Sequence, residues 1–110
     1  MPVTIRRDEW GVPHVDAARE SDAFFGLGWA QAEDHLPLMM RVYRALAGGA
    51  GDGVDATWTR RDTYALRWQH LERARQTYDS QPGAVRVAME SFVRGVSAFA
   101  AEHPEDVPAW

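Results

Sequence analysis

The chain has 110 residues, is 45% hydrophobic and 25% charged, and carries a formal net charge of −4. That size and composition imply one domain with a modest core and exclude a disordered or fibrous chain. The acidic balance excludes the basic footprint of a nucleic-acid binder, and the absence of cysteine excludes disulfides, thiolate chemistry and cysteine-based zinc sites.

In chain order, Val3 and Ile5, then Val12 and Val15, flank a polar centre at 7–11, which predicts a hairpin over 3–16. Pro13 cannot donate to a ladder, so its strand is expected at an edge or with that position unpaired. A two-stranded hairpin needs further packing, and nothing else in the chain reads as a strand.

Ser21 is the expected N-cap of a helix over 22–47, with Asp22 in its first turn. Phe25, Trp29, Ala32, Leu36, Met39, Tyr43 and Leu46 form its apolar stripe. Pro37 predicts a kink near 33–37, with Asp34 capping the restarted segment. Gly26 and Gly28 leave room for a neighbouring backbone.

GGAGDG at 48–53 ends this helix and opens a loop over 48–61. Asp62 is expected to cap a helix over 62–79, with Tyr64, Trp68, Leu71 and Tyr78 on one face and Arg75 in the same row. SQPG at 80–83 stops it. Val85, Met89, Phe92, Val96 and Phe99 mark a last helix over 84–101, and EHPEDVP breaks the pattern. The fold class expected is α+β, mostly α: a hairpin followed by three to four helices. A Trp at position 110 directly after a loop, with an unpaired hairpin at the other end, is expected of a piece of a larger domain.

Generic catalytic motifs are missing. GGAGDG lacks a following Lys-Ser/Thr and follows a helix, so it reads as a loop and not a phosphate cradle. His14, His35, His70 and His103 show no zinc-binding spacing. Glu33-Asp34-His35 is the densest polar cluster, but adjacent helical residues diverge, so the three are not expected to share a metal, and Asp34 reads as a cap or buried hydrogen-bond acceptor. Ser21 and Ser80 read as cap or turn residues. Ser91 and Ser97 are expected within a helix, facing solvent or bonding back to the preceding turn. Arg6 or Arg7 is expected to pair with Asp8 or Glu9 inside the hairpin, and His14 to be a hydrogen-bonded structural residue. MPVTIRRDEW lacks the apolar segment of a signal peptide, and no apolar run reaches membrane-spanning length, so the compartment is left open and no membrane partner is expected.

Two blocks are more specific. Arg7, Asp8, Gly11, Val12, Pro13 and His14 form an Arg-Asp-x-x-Gly-Val-Pro-His signature. Phe25 to Leu36 form an aromatic-Gly-x-Gly-aromatic-x-x-Ala-Glu-Asp-x-Leu block. A Met/Arg-rich helix then runs from Met39 to Gly48, and Val93 to Phe99 form a later matching stretch. In this order they resemble the start of the α chain of the penicillin acylase family, which includes cephalosporin and acyl-homoserine-lactone acylases. Ser97 departs from the family's usual Asn, and Pro37 is unusual inside the long helix.

The resemblance implies an N-terminal-nucleophile hydrolase of αββα fold. Its precursor cleaves itself, its new β-chain N-terminal Ser attacks an amide carbonyl, and the α-amino group is the base. The junction is typically Gly-Ser, and this chain holds no Gly-Ser, Gly-Thr or Gly-Cys pair. No catalytic, substrate-binding or metal residue is therefore expected in it, and alone it is expected to be inactive. The implied partners are the remainder of the precursor and an acylated small-molecule amide. Calcium, where the family holds it, would be bound mostly by β-chain oxygens and an α-chain acid beyond Trp110. Two readings stay open beside this one: a non-enzymatic helical interaction module, and a degenerate family member without its nucleophile.

Overall fold

The computed structural model describes residues 3–49 and 56–109. Strands β1 (Val3–Arg7) and β2 (Pro13–Ala17) pair antiparallel, with Val3 opposite Ala17, Ile5 opposite Val15 and Arg7 opposite Pro13. Pro13 is thus the first residue of its strand, where a missing N–H is tolerated. Helices α1 (Glu20–Leu46), α2 (Ala56–Trp68), α3 (His70–Tyr78) and α4 (Gly83–Glu102) follow, with a short 3-10 turn at Pro104–Asp106. The chain divides into two compact units, Met1–Leu36 with Pro82–Trp110, and Pro37–Gln81.

In the first unit, glycines set the packing. A Cβ at Gly26 would lie 2.6 Å from a Val15 methyl and 2.7 Å from a Val3 methyl, so Gly26 seats the inward face of the hairpin on α1. A Cβ at Gly28 would meet the backbone carbonyl of Phe92, and one at Gly95 would meet the carbonyl of Phe25. The approach expected at Gly28 is therefore backbone to backbone, whereas Gly26 accommodates valine side chains. The crossing of α1 and α4 buries Ala30, Ala32, Leu36, Val96 and Phe99. Trp29 meets Phe99 edge-on at 5.4 Å, and His103 stacks on the same Phe99 ring at 4.3 Å.

Several expectations change here. The first long helix starts at Glu20, so Ser21 lies inside it and is not its N-cap; the carbonyl of Arg19 accepts the N–H of Asp22 and Ala23. Asp22 stays in the first turn, is almost fully buried, and receives Arg19 Nε at 2.9 Å. The expected kink is present at His35, whose φ of −142° leaves the helical region. In α4 the buried set is Ser91, Gly95, Val96 and Phe99, while Val85 and Met89 of the expected stripe are exposed.

In the second unit, α1 ends where Gly48 takes φ +82°. Gly48 N–H donates to the Ala45 carbonyl at 3.0 Å and Gly49 N–H to the Arg44 carbonyl at 2.7 Å, the Schellman pattern of a glycine-terminated helix. Residues 50–53 of the GGAGDG loop lie outside the described residues. The helix expected over 62–79 is two helices. α2 begins at Ala56, inside the expected loop, so Asp62 is a buried mid-helix residue and not a cap. Gln69, in the left-handed region at φ 55°, ψ 45°, separates α2 from α3, and its carbonyl accepts the Arg73 N–H. The buried face of α2 holds Asp62 and Ala65, whereas Tyr64, Trp68 and Leu71 are exposed.

Candidate functional site

The hairpin turn and the end of the first segment of α1 are joined through Arg7. Arg7 Nε and Nη2 donate to Glu33 Oε1 at 3.1 and 2.6 Å. Nη1 donates to Asp34 Oδ2 at 3.1 Å and to the Gly11 carbonyl at 2.8 Å, and Nη2 lies 3.0 Å from Asp34 Oδ1. Every guanidinium nitrogen therefore meets a carboxylate, an arrangement that needs the planar fork of arginine. Hydrogen bonds to Asp34 first, and to Glu33 second, raise the pKa of Arg7 above its ordinary value.

Asp8 organises the turn itself. Its Oδ1 accepts the Trp10 N–H at 2.9 Å and the Val12 N–H at 3.0 Å, and its Oδ2 meets His14 Nε2 at 2.9 Å. Gly11 sits at φ +78° and donates its N–H to the Asp8 carbonyl at 3.0 Å. The left-handed backbone there requires glycine or a strained substitute. The bond to His14, then that from Val12, holds the Asp8 carboxyl below the usual carboxylate range.

Five of the six residues that define the Arg-Asp-x-x-Gly-Val-Pro-His signature thus have a place, while Val12 engages only its backbone N–H, donated to Asp8, and leaves its side chain exposed. Arg7 ties the turn to α1, Asp8 caps it, Gly11 allows the bend, Pro13 starts the return strand, and His14 closes on Asp8. The expected ion pairs within the hairpin are not the ones formed. Arg6 reaches across to Asp16 at 2.9 Å with both side chains well exposed, and Arg7 leaves the hairpin for α1. Glu33 and Asp34, expected to diverge, converge on one cation, because a guanidinium presents donors along two edges. Asp34 accepts hydrogen bonds from Arg7, one of its two expected roles, but it is exposed where burial was expected. His35 stays outside the cluster as the exposed residue at the kink.

An Asp–His pair is half of a nucleophile-activating arrangement. Among the described residues, no hydroxyl is hydrogen-bonded to the His14 ring. Ser80 Oγ donates to the Thr77 carbonyl at 2.7 Å, as a turn residue does, and Ser97 is exposed. Ser91, expected to face solvent or bond back along the helix, is instead fully buried on α4 and accepts Arg94 Nη2 at 2.9 Å.

Two further features lie apart from the clasp. In the second unit an open, largely apolar cavity of about 400 Å³ is bordered by Val42, Leu46, Trp58, Arg61, Tyr64 and His70. Arg41 and Arg61 lie over the Trp58 ring at 4.9 and 4.6 Å, and His70 lies 5.6 Å from the Tyr64 ring. In the first unit His103, Glu105 and Asp106 bring potential ligand atoms within 4.8 Å of one another. Calcium takes six to eight oxygen ligands; two exposed carboxylates beside an imidazole do not fit it, and His103 Nδ1 already lies 3.2 Å from Glu105 Oε1. Among the described residues no helix is long and apolar enough to cross a membrane.

The clasp links two sequence blocks 26 residues apart, and no local periodicity announces such a link. The joint presence of Arg-Asp and Ala-Glu-Asp in a known order is the signal that could have found it.

Comparison with known proteins gives a consistent answer. The penicillin amidase family model matches residues 2–110. The chain is 31% identical over 100 residues to the penicillin acylase 2 proenzyme of Pseudomonas sp. (strain SE83), covering 91% of this chain and 13% of that protein. It is 32% identical over 106 residues to the acyl-homoserine lactone acylase PvdQ of Pseudomonas syringae pv. syringae (strain B728a), covering 89% and 14%. The thermostable penicillin G acylase from Alcaligenes faecalis superimposes with a TM-score of 0.76 at 23% identity, over 97% of this chain and 58% of that one, a likeness of fold. The chain spans about 13% of the length of the first of these curated relatives.

Proposed function

The chain belongs to the penicillin amidase family, and from that premise we propose that it is part of the α chain of an amidohydrolase. The complete protein would split a linear amide into an acyl group and an amine. The carrying observation is the family match over residues 2–110 by a chain that spans only about 13% of a relative's length.

In this reading the nucleophile is a serine freed at a new N-terminus elsewhere in the precursor, since no Gly-Ser pair occurs here. A free α-amino group, with a pKa of about 8, can act as the base, whereas an amide nitrogen cannot. Calcium ligands, where the complete protein has them, would likewise lie outside this chain. The residues present act as scaffold: the Arg7–Glu33–Asp34 clasp fixes the hairpin on α1, leaving strand edges for the larger sheet. The relatives' names point to a β-lactam amide or an acyl-homoserine lactone as substrate.

The test compares the isolated chain with the complete gene product on a phenylacetyl amide, a penicillin and a series of acyl-homoserine lactones. Hydrolysis by the complete product alone supports the reading. Hydrolysis by the 110-residue chain, or none by a correctly folded complete product, overturns it.

A further inference from the structure

The second unit holds a cavity of about 400 Å³ where the end of α1 meets α2 and α3. Small-molecule sites run from roughly 300 to 1,000 Å³ and are mostly apolar with a few placed polar groups. Trp58, Arg61 and Ala65 recur three and four residues apart, so they share one face of α2. Buried Ala45 and Ala65 form the floor, and the Trp58 and Tyr64 rings border the cavity with Leu46. Arg60 and Arg61 border it too, and no acid does. Asp62, the adjacent acid on α2, is buried and lies outside the border. The Arg61 guanidinium lies over the Trp58 ring at 4.6 Å, a contact that uses its face and leaves its N–H edges open. Among the described residues neither Arg60 nor Arg61 meets a carboxylate or another acceptor, whereas every guanidinium nitrogen of Arg7 does.

We propose that this cavity binds a small aromatic carboxylate, its ring against Trp58 and Tyr64 and its carboxylate on Arg61, with Arg60 adding a second positive charge at the same border. Charge complementarity selects the head group. A guanidinium fork matches a planar carboxylate, and no bordering acid competes for it. The walls select the body, since Trp58 and Tyr64 offer ring faces and edges to an aromatic partner. A neutral apolar ligand would leave the fork unused, and a polyanion would meet apolar walls with no further donors.

The test irradiates the complete gene product with benzophenone-4-carboxylate, an aromatic carboxylate that crosslinks where it binds, and maps the label by mass spectrometry. 4-Methoxybenzophenone is the neutral control. The expected result is saturable label on the peptides that carry Leu46, Trp58 and Tyr64, at least about fivefold stronger for the carboxylate than for the control. Arg61→Gln should remove that preference and Arg60→Gln should weaken it, with labelling by the neutral probe unchanged. Both side chains are exposed, so neither replacement threatens folding. Equal labelling by the two probes overturns the proposal. So does the absence of label from these peptides in the complete product, as when another protein segment fills the cavity. No readout requires hydrolysis, so the binding site can fail while the enzymatic assignment stands, and the reverse.

Discussion

Replacing Gly28 by alanine sets two well-characterised effects against each other. Alanine is the better helix former by about 1 kcal/mol, so helix propensity alone predicts stabilisation. The α1–α4 crossing predicts the opposite. The new Cβ would meet the Phe92 carbonyl and lie 2.9 Å from its carbon, and both are backbone atoms that no rotamer change can move. Carbon atoms prefer about 3.5–4.0 Å, so the helices must part by up to about 1 Å, loosening the Trp29–Phe99 contact. Overpacking of this kind costs about 1–3 kcal/mol, and the backbone neighbour places it at the upper end. The net expectation is a loss of about 2 kcal/mol in the stability of the unit that holds the crossing. Thermal unfolding followed by far-ultraviolet circular dichroism reads it directly. Gly83→Ala is the control: a Cβ there meets nothing within 4 Å, so it should be neutral or mildly stabilising. A Gly28→Ala protein as stable as its parent would refute the close crossing.

Arg7→Ala should release the hairpin from α1, seen as faster amide exchange throughout Val3–Ala17, and Arg7→Lys should not restore protection, because an ammonium cannot span Glu33, Asp34 and the Gly11 carbonyl together. Because the folded Asp8 pKa is depressed, its contribution to stability is present above the ordinary value of 3.8 and is lost as pH falls through the folded value. Amide exchange at Trp10 and Val12 should therefore quicken below about pH 4 beyond its intrinsic pH dependence, and Asp8→Asn should abolish that step. Gly48→Ala should destabilise by at least about 1 kcal/mol in denaturant titration, since φ +82° disfavours an L side chain and the Leu66 side chain lies 2.5 Å from the added Cβ.

Much of this fold can be read from local chemistry. The β-branched residues around Asp8 and Gly11 announce the hairpin, Pro37 announces a kink close to His35, and Gly48 ends α1. The errors fall where distant contacts override local preference. Asp62 looks like a helix cap because acids favour first turns, yet it is buried mid-helix. Gln69 breaks the second helical stretch without the glycine or proline that would flag it. Ser91 is hidden because Gly95 and Gly28 draw two backbones together, and no pattern within α4 alone carries that information. The signature cluster is the most instructive case. Its density of charge suggests a reacting site, but the bonds it makes hold a turn on a helix. The resemblance identified the family, which the local patterns could not, but it did not foresee the clasp: Arg7, expected to pair inside the hairpin, instead reaches Glu33 and Asp34.

The central claim is that this chain is scaffold for a nucleophile supplied elsewhere in its precursor. N-terminal sequencing and intact mass of the purified complete gene product test it most directly. The account predicts two chains, one containing these 110 residues and the other beginning with a free serine whose replacement abolishes both cleavage and hydrolysis. A single uncleaved chain that still hydrolyses the amide would contradict it.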